Sequence, residues 1–88
     1  MVNDVAVVRA VRTPLGCFMG TLSGLSAVDL GIQSVKGVID KIGLDKSLVD
    51  ELIVGHVLQA GCGQAPARQI ALGSGLNTDI PCFSVNKV

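Results

Sequence analysis

Between Ser26 and Gly43 the apolar positions Val28, Ile32, Val35, Ile39 and Ile42 recur at steps of four and three, with Asp29, Gln33, Lys36 and Asp40 on the other side. That period predicts an amphipathic helix, with Ser26 as N-cap and Gly43 as the C′ residue. Elsewhere the apolar residues run together, as Val5-Ala6-Val7-Val8 within residues 4–9 and again over residues 52–58, while residues 82–88 behind Pro81 read as a third strand. Continuous runs of this length predict strands buried on both faces of a parallel sheet. Between the second and third runs, Pro66 opens a second predicted helix that closes near Gly73 to Gly75. Ser47 is a candidate cap for a short turn through Val49 and Asp50.

The predicted order is strand, helix, strand, helix, strand, which implies an α/β layered fold with crossover connections. Residues 13–24 carry Pro14, Gly16, Gly20 and Gly24 at intervals that neither helix nor strand keeps, so a long ordered loop is expected there. Strands buried on both faces need helices on both faces, and two helices cannot cover three strands twice over. The pattern therefore reads as part of a larger interior. No internal repeat, low-complexity tract or linker divides it.

Composition sharpens this picture. Of the 88 residues, 49% are hydrophobic and 16% charged, with no Trp or Tyr, so the apolar surface comes from small and branched side chains. Seven basic residues balance seven acidic ones, which leaves no summed field to hold a nucleic acid or an anionic membrane surface. Phe18 and Phe83 are too few for a base-stacking platform. The charge-free stretches at residues 13–28 and 52–67 are shorter than the ~20 residues of a membrane span and are interrupted by polar residues. The start Met1-Val2-Asn3-Asp4 leads straight into the first apolar run, so no leader is expected and a cytoplasmic location is favoured, with an organellar one left open. Cys17, Cys62 and Cys82 are an odd number without metal-ligand spacing, which suits free thiols in a reducing compartment and predicts no metal site.

Few motifs carry chemistry by spacing alone. Gly61-Cys62-Gly63-Gln64-Ala65-Pro66 follows a predicted strand and opens a helix, as a dinucleotide fingerprint does. Pro66 stands where the third glycine belongs, and none of residues 82–84, where the ribose ligand is expected, is acidic. A tight glycine turn is the better account. The spacing of Gly16, Gly20 and Gly24 mimics a membrane-helix pairing motif, but in a polar-interrupted loop these are turn glycines. His56 inside the second predicted strand reads first as a structural histidine and second as a catalytic or ligand residue. Cys62 looks the most exposed of the three thiols, and no triad surrounds any serine or cysteine.

Several segments taken together resemble the thiolase family. Arg12-Thr13-Pro14-x-Gly16-x-Phe18-x-Gly20-x-Leu22 behind the first apolar run, Ala27-x-Asp29-Leu30-Gly31, and Ile80-Pro81 with Asn86-Lys87-Val88 are each similar to it. So is Gly55-His56-Val57-Leu58-Gln59-Ala60-Gly61-x-Gly63-Gln64-Ala65-Pro66-Ala67-Arg68-Gln69, the most recognisable stretch. Ala65, where many members have Asn, and Cys62, where acidic residues are common, depart from the pattern. The similarity runs in order along practically all of residues 1–88, which implies the N-terminal part of a thiolase-like layered α/β/α fold, itself incomplete.

The resemblance also implies chemistry. The family's nucleophilic cysteine follows a tripeptide like Asn86-Lys87-Val88, so it is expected directly after Val88, with no catalytic residue among the 88 themselves and these three positioning it. A thiolate at a strand-to-helix junction is favoured by the helix N-terminus. The implied activity is condensation of two acetyl-CoA molecules to acetoacetyl-CoA, or the reverse thiolysis, through a cysteine acyl-enzyme, with coenzyme A thioesters as substrates and no cofactor held by this segment. Its implied partners are the rest of a thiolase chain and further copies in a dimer or tetramer, with Gln64, Arg68, Gln69, Cys82, Phe83 and Ser84 near the subunit contact. A 3-ketoacyl-CoA thiolase of broader chain length, or a non-catalytic association fragment, are the alternatives.

Overall fold

A computed structural model describes residues 3–88; Met1 and Val2, on which the expectation of a leaderless start partly rests, lie outside the described residues. Helix α1 spans Ala27–Ile42. Its start is closed by a reciprocal pair: Asp29 N–H donates to Ser26 Oγ at 3.0 Å and Ser26 N–H donates to Asp29 Oδ2 at 3.0 Å. The hydrogen bonds from Ser26 favour the ionised form and hold the Asp29 carboxyl below its ordinary range. The cap's contribution is therefore present at neutral pH and is lost as pH falls through that lowered pKa. At the far end Gly43 takes φ 63°, and the chain closes with Gly43 N–H on Asp40 O and Leu44 N–H on Ile39 O. Both predicted ends of this helix are thus found where the sequence placed them.

A 3-10 turn follows over Lys46–Leu48. Its cap is Asp45, whose Oδ1 accepts from Ser47 N–H at 3.0 Å, rather than Ser47 itself. The aspartate is two residues ahead of the N–H it bonds, the geometry a short carboxylate reaches without strain, and Ser47 supplies only the backbone donor. The same hydrogen bond lowers the Asp45 pKa.

Strand β1, Leu52–Gly55, pairs in parallel with β2, Cys82–Val85, in the register Leu52 with Cys82 through Gly55 with Val85. Both are shorter than the predicted runs at 52–58 and 82–88. They are also not buried on both faces: Leu52 and Cys82 pack against the core, while Ile53 and Phe83 on the other face are 56% and 45% exposed. The first apolar run is the larger correction. Val5 and Val7 are 96% and 90% exposed and make no ladder within the described residues, whose single sheet is β1 and β2. Apolar β-branched residues favour a strand only where a paired neighbour satisfies the backbone, and here no described strand lies beside them. The loop behind them turns over residues 18–25, beginning with Gly20 N–H on Cys17 O.

Helix α2, Pro66–Gly73, connects the strands and packs between the sheet and α1. It closes as α1 does, with Gly75 at φ 79°, Gly75 N–H on Leu72 O and Leu76 N–H on Ala71 O. Ile39 of α1, Ala71 of α2, and Leu76 and Ile80 from the loop before β2 form the core. The two helices approach so closely that a Cβ on Gly31 would overlap Ile70 and one on Gly73 would overlap Ile32. Gly37, on the same helix as Gly31, has only Val11 at ordinary contact distance.

These two glycines therefore predict opposite signs. Gly37→Ala relieves backbone entropy in an open helical position and is expected to raise stability by ~0.5–1 kcal/mol. Gly31→Leu keeps good helix propensity but overpacks the contact with Ile70, and is expected to lower stability by ~1–3 kcal/mol. Urea midpoints of the two variants check both.

Candidate active-site edge at the ends of the parallel strands

In layered α/β folds, ligands gather where parallel strands end at their carboxyl side. Here that edge is Gly55 of β1 beside Val85 of β2. The pairing runs one residue further, since His56 N–H donates to Val85 O at 2.8 Å, so His56 sits just beyond β1 rather than inside it. Asn86, Lys87 and Val88 leave β2 at this edge, all three exposed.

From His56 the chain turns through the glycine-rich segment. Gly61 and Gly63 both take φ 77°, a conformation that other residues adopt only with strain, and Cys62 N–H closes a turn on Gln59 O at 3.0 Å. Ala65 then starts α2 at φ 46° without a side-chain cap. Asn tolerates that left-handed region better than Ala, so Ala65 holds this conformation at a cost in strain.

Two adjacent residues in the first turn of α2 tie the flanking loops to the helix. Gln69 Nε2 donates to Cys62 O at 2.8 Å and to Gln64 O at 2.9 Å, fixing the glycine turn. Arg68 reaches the other way: its Nη1 donates to Thr78 O at 3.1 Å and its Nη2 to Ile80 O at 2.8 Å, holding the approach to β2. The planar fork suits two carbonyls at once. These ties were not legible from spacing. Their signal is two polar side chains, both half-buried, adjacent on an otherwise apolar helix.

Of the remaining residues expected near a subunit contact, Gln64 is exposed, Cys82 and Ser84 are half-buried on the core side, and Phe83 is on the open face. The structure thus spreads the six over both faces of β2 and the start of α2. Ser84 Oγ is buried without a hydrogen-bond partner. Cys62, expected to be the most exposed thiol, is half-buried, and Cys17 is the exposed one. Cys62 Sγ lies 3.9 Å from His56 Nε2. Among the described residues no three His, Cys, Asp or Glu side chains are grouped to hold a metal, and no helix is long and apolar enough to cross a membrane. A cavity of about 250 Å³ lies elsewhere, between residues 11–14 and the Gln33, Gly37 and Lys41 side of α1.

The family described as thiolase, N-terminal domain, matches residues 5–88. This chain belongs to the thiolase family. It is 50% identical over 86 residues to the mitochondrial acetyl-CoA acetyltransferase of Bos taurus, covering 98% of this chain and 20% of that protein. It is 49% identical to the probable acetyl-CoA acetyltransferase of Escherichia coli (strain K12), covering 98% of this chain and 22% of that one. The crystal structure of Acat5 thiolase from Ascaris suum in complex with coenzyme A aligns with a TM-score of 0.83 at 44% identity, over 89% of this chain and 20% of that chain. The thiolase segment described here thus spans about a fifth of the length of these relatives. The expected α/β class holds, and its main departures are in the length, burial and number of its strands.

Truncating the Arg68 fork leaves two carbonyls without donors. Arg68→Met is expected to cost ~1–3 kcal/mol, as for other hydrogen bonds to charged groups, and Arg68→Lys to recover only part because one ammonium does not match both carbonyls. Denaturant midpoints of the two variants measure the difference.

Proposed function

We propose that this thiolase segment serves an acetyl-CoA acetyltransferase, which condenses two acetyl-CoA molecules to acetoacetyl-CoA and runs the reverse thiolysis. The observation that carries the proposal is the 50% identity, over 98% of the chain, to a protein named for that activity. Support for coenzyme A thioesters as substrates comes from the coenzyme A complex of the Ascaris suum thiolase. The mitochondrial names of the vertebrate relatives favour an organelle over the cytoplasm expected from the chain start.

In this reading a cysteine directly after Val88 is the nucleophile, and Asn86, Lys87 and Val88 position it. Its thiolate attacks the thioester carbonyl of acetyl-CoA and expels the coenzyme A thiolate, leaving an acetyl-enzyme. A base elsewhere in the enzyme takes the α-proton of a second acetyl-CoA, and the resulting carbanion attacks that acetyl group, releasing acetoacetyl-CoA and restoring the thiolate. The role of this segment is to hold the strand end from which the nucleophile projects, through the β1 ladder and the two α2 ties. Gln64, Arg68, Gln69, Cys82, Phe83 and Ser84 are proposed to lie near a contact with a second copy. Exposure of Phe83 on the open face of β2 is compatible with such a contact.

Incubation of the enzyme containing these residues with radiolabelled acetyl-CoA, followed by peptide mapping, tests the assignment. The label is expected on the cysteine next to Val88, and a label on any other residue would sink it. The 88 residues alone are expected to show no acetyl transfer. Thiolysis rates with acetoacetyl-CoA and with a long-chain 3-ketoacyl-CoA decide substrate class: faster turnover of the short substrate is expected, and the reverse would make this a thiolase of broader chain length.

A further inference from the structure

His56 is the one histidine of the chain, and a cysteine thiol is its side-chain neighbour. The backbone on each side of this pair is held. His56 N–H is bonded to Val85 O, His56 O accepts from Gln59 Nε2, and Cys62 O accepts from Gln69 Nε2. The thiol lies within 3.8 Å of Leu58 O and Ala60 O, which are weak partners for a sulfur, and it remains half-buried rather than sealed in the core. The other two cysteines differ. Cys17 is exposed and Cys82 Sγ faces Ile80 O at 3.5 Å, and neither has an imidazole in hydrogen-bond range.

A nucleophile beside a base, with both backbones fixed, is the arrangement that activates a thiol. We propose that Cys62 is a modification site for small disulfides of the glutathione type, with His56 as its base. This goes beyond the acetyl-transfer reading and does not depend on it. His56 Nε2, carrying its lone pair, takes the Cys62 proton. The sulfur then forms a bond to one sulfur of the disulfide, the original S–S bond breaks, and the departing thiolate takes the proton from His56. Cys62 is oxidised to the mixed disulfide, one half of the disulfide is reduced to free thiol, and no other oxidant is consumed. A thiol reductant reverses the step. The adduct sits on the glycine turn at the same sheet edge from which Asn86 to Val88 depart.

The test exposes the enzyme containing this segment to glutathione disulfide and follows each cysteine by peptide mass. Cys62 is expected to gain the adduct, and His56→Asn to slow its formation ~10-fold or more while the rates at Cys17 and Cys82 stay unchanged. Equal rates at Cys62 with and without His56, or no adduct at Cys62 when Cys17 reacts, would overturn the proposal. Because His56→Asn can also loosen the turn, the unsubstituted protein supplies a second reading. Its Cys62 is expected to take up the adduct faster than the more exposed Cys17, and a slower rate at Cys62 would equally overturn it. Both readouts are adduct masses, so loss of acetyl transfer or its absence leaves them intact.

Discussion

Parallel pairing is the constraint on which the rest of this segment depends. Two parallel strands cannot be joined by a tight turn, because the chain must travel back along the sheet before it can pair in the same direction. Residues 56–81 make that return, and α2 is the only regular structure within them. Its short length matters. Eight residues give few hydrogen bonds of their own, so the helix is held by its caps, by Ile70 and Ala71 in the interior, and by the side-chain ties of Arg68 and Gln69. Each tie fixes one of the two loops that the crossover requires. Register at the strand ends follows from both.

The packing around that crossover is one-sided. Ile39, Ala71, Leu76 and Ile80 gather between the helices and one face of the sheet, while Ile53, Phe83 and Val85 remain on the open face. Close approach of α1 and α2 rests on having no side chain at Gly31 and Gly73, so the helix contact is set by what is missing as much as by what is buried. The local signals are strong by comparison. A capping box, two left-handed glycine closures and an aspartate-capped turn fix element ends without help from distant residues.

That contrast explains what could be read from the sequence. Ser26, Gly43 and Pro66 mark helix ends because capping is a matter of a few adjacent residues, and α1 and α2 appear where those residues place them. Strand length and pairing are not local. Residues 5–8 have the composition of a buried strand and still make no ladder among the described residues, since a strand exists only with its neighbour. Residues 52–58 look continuous, but the chain leaves the ladder after His56 to enter the glycine turn. At the candidate site, the resemblance pointed to residues 64–69 and 82–88 without saying what their side chains touch. Arg68 and Gln69 proved to bind backbone carbonyls 10 and 12, and 7 and 5, residues away, a relation no pattern of apolar spacing encodes. The nearness of Cys62 to His56 depends in turn on the left-handed glycines between strand and helix.

If the β1–β2 pairing places the strand edge, its two terminal hydrogen bonds should be among the most persistent in the segment. Leu52 N–H donates to Pro81 O at 3.0 Å at one end and His56 N–H to Val85 O at 2.8 Å at the other. Amide hydrogen exchange resolved at these two residues is the most direct measurement. Exchange slowed by orders of magnitude at both, relative to an unstructured peptide, is the predicted result. Free exchange at His56 would mean that the ladder ends before the edge, and would contradict the placement of everything that follows Val85.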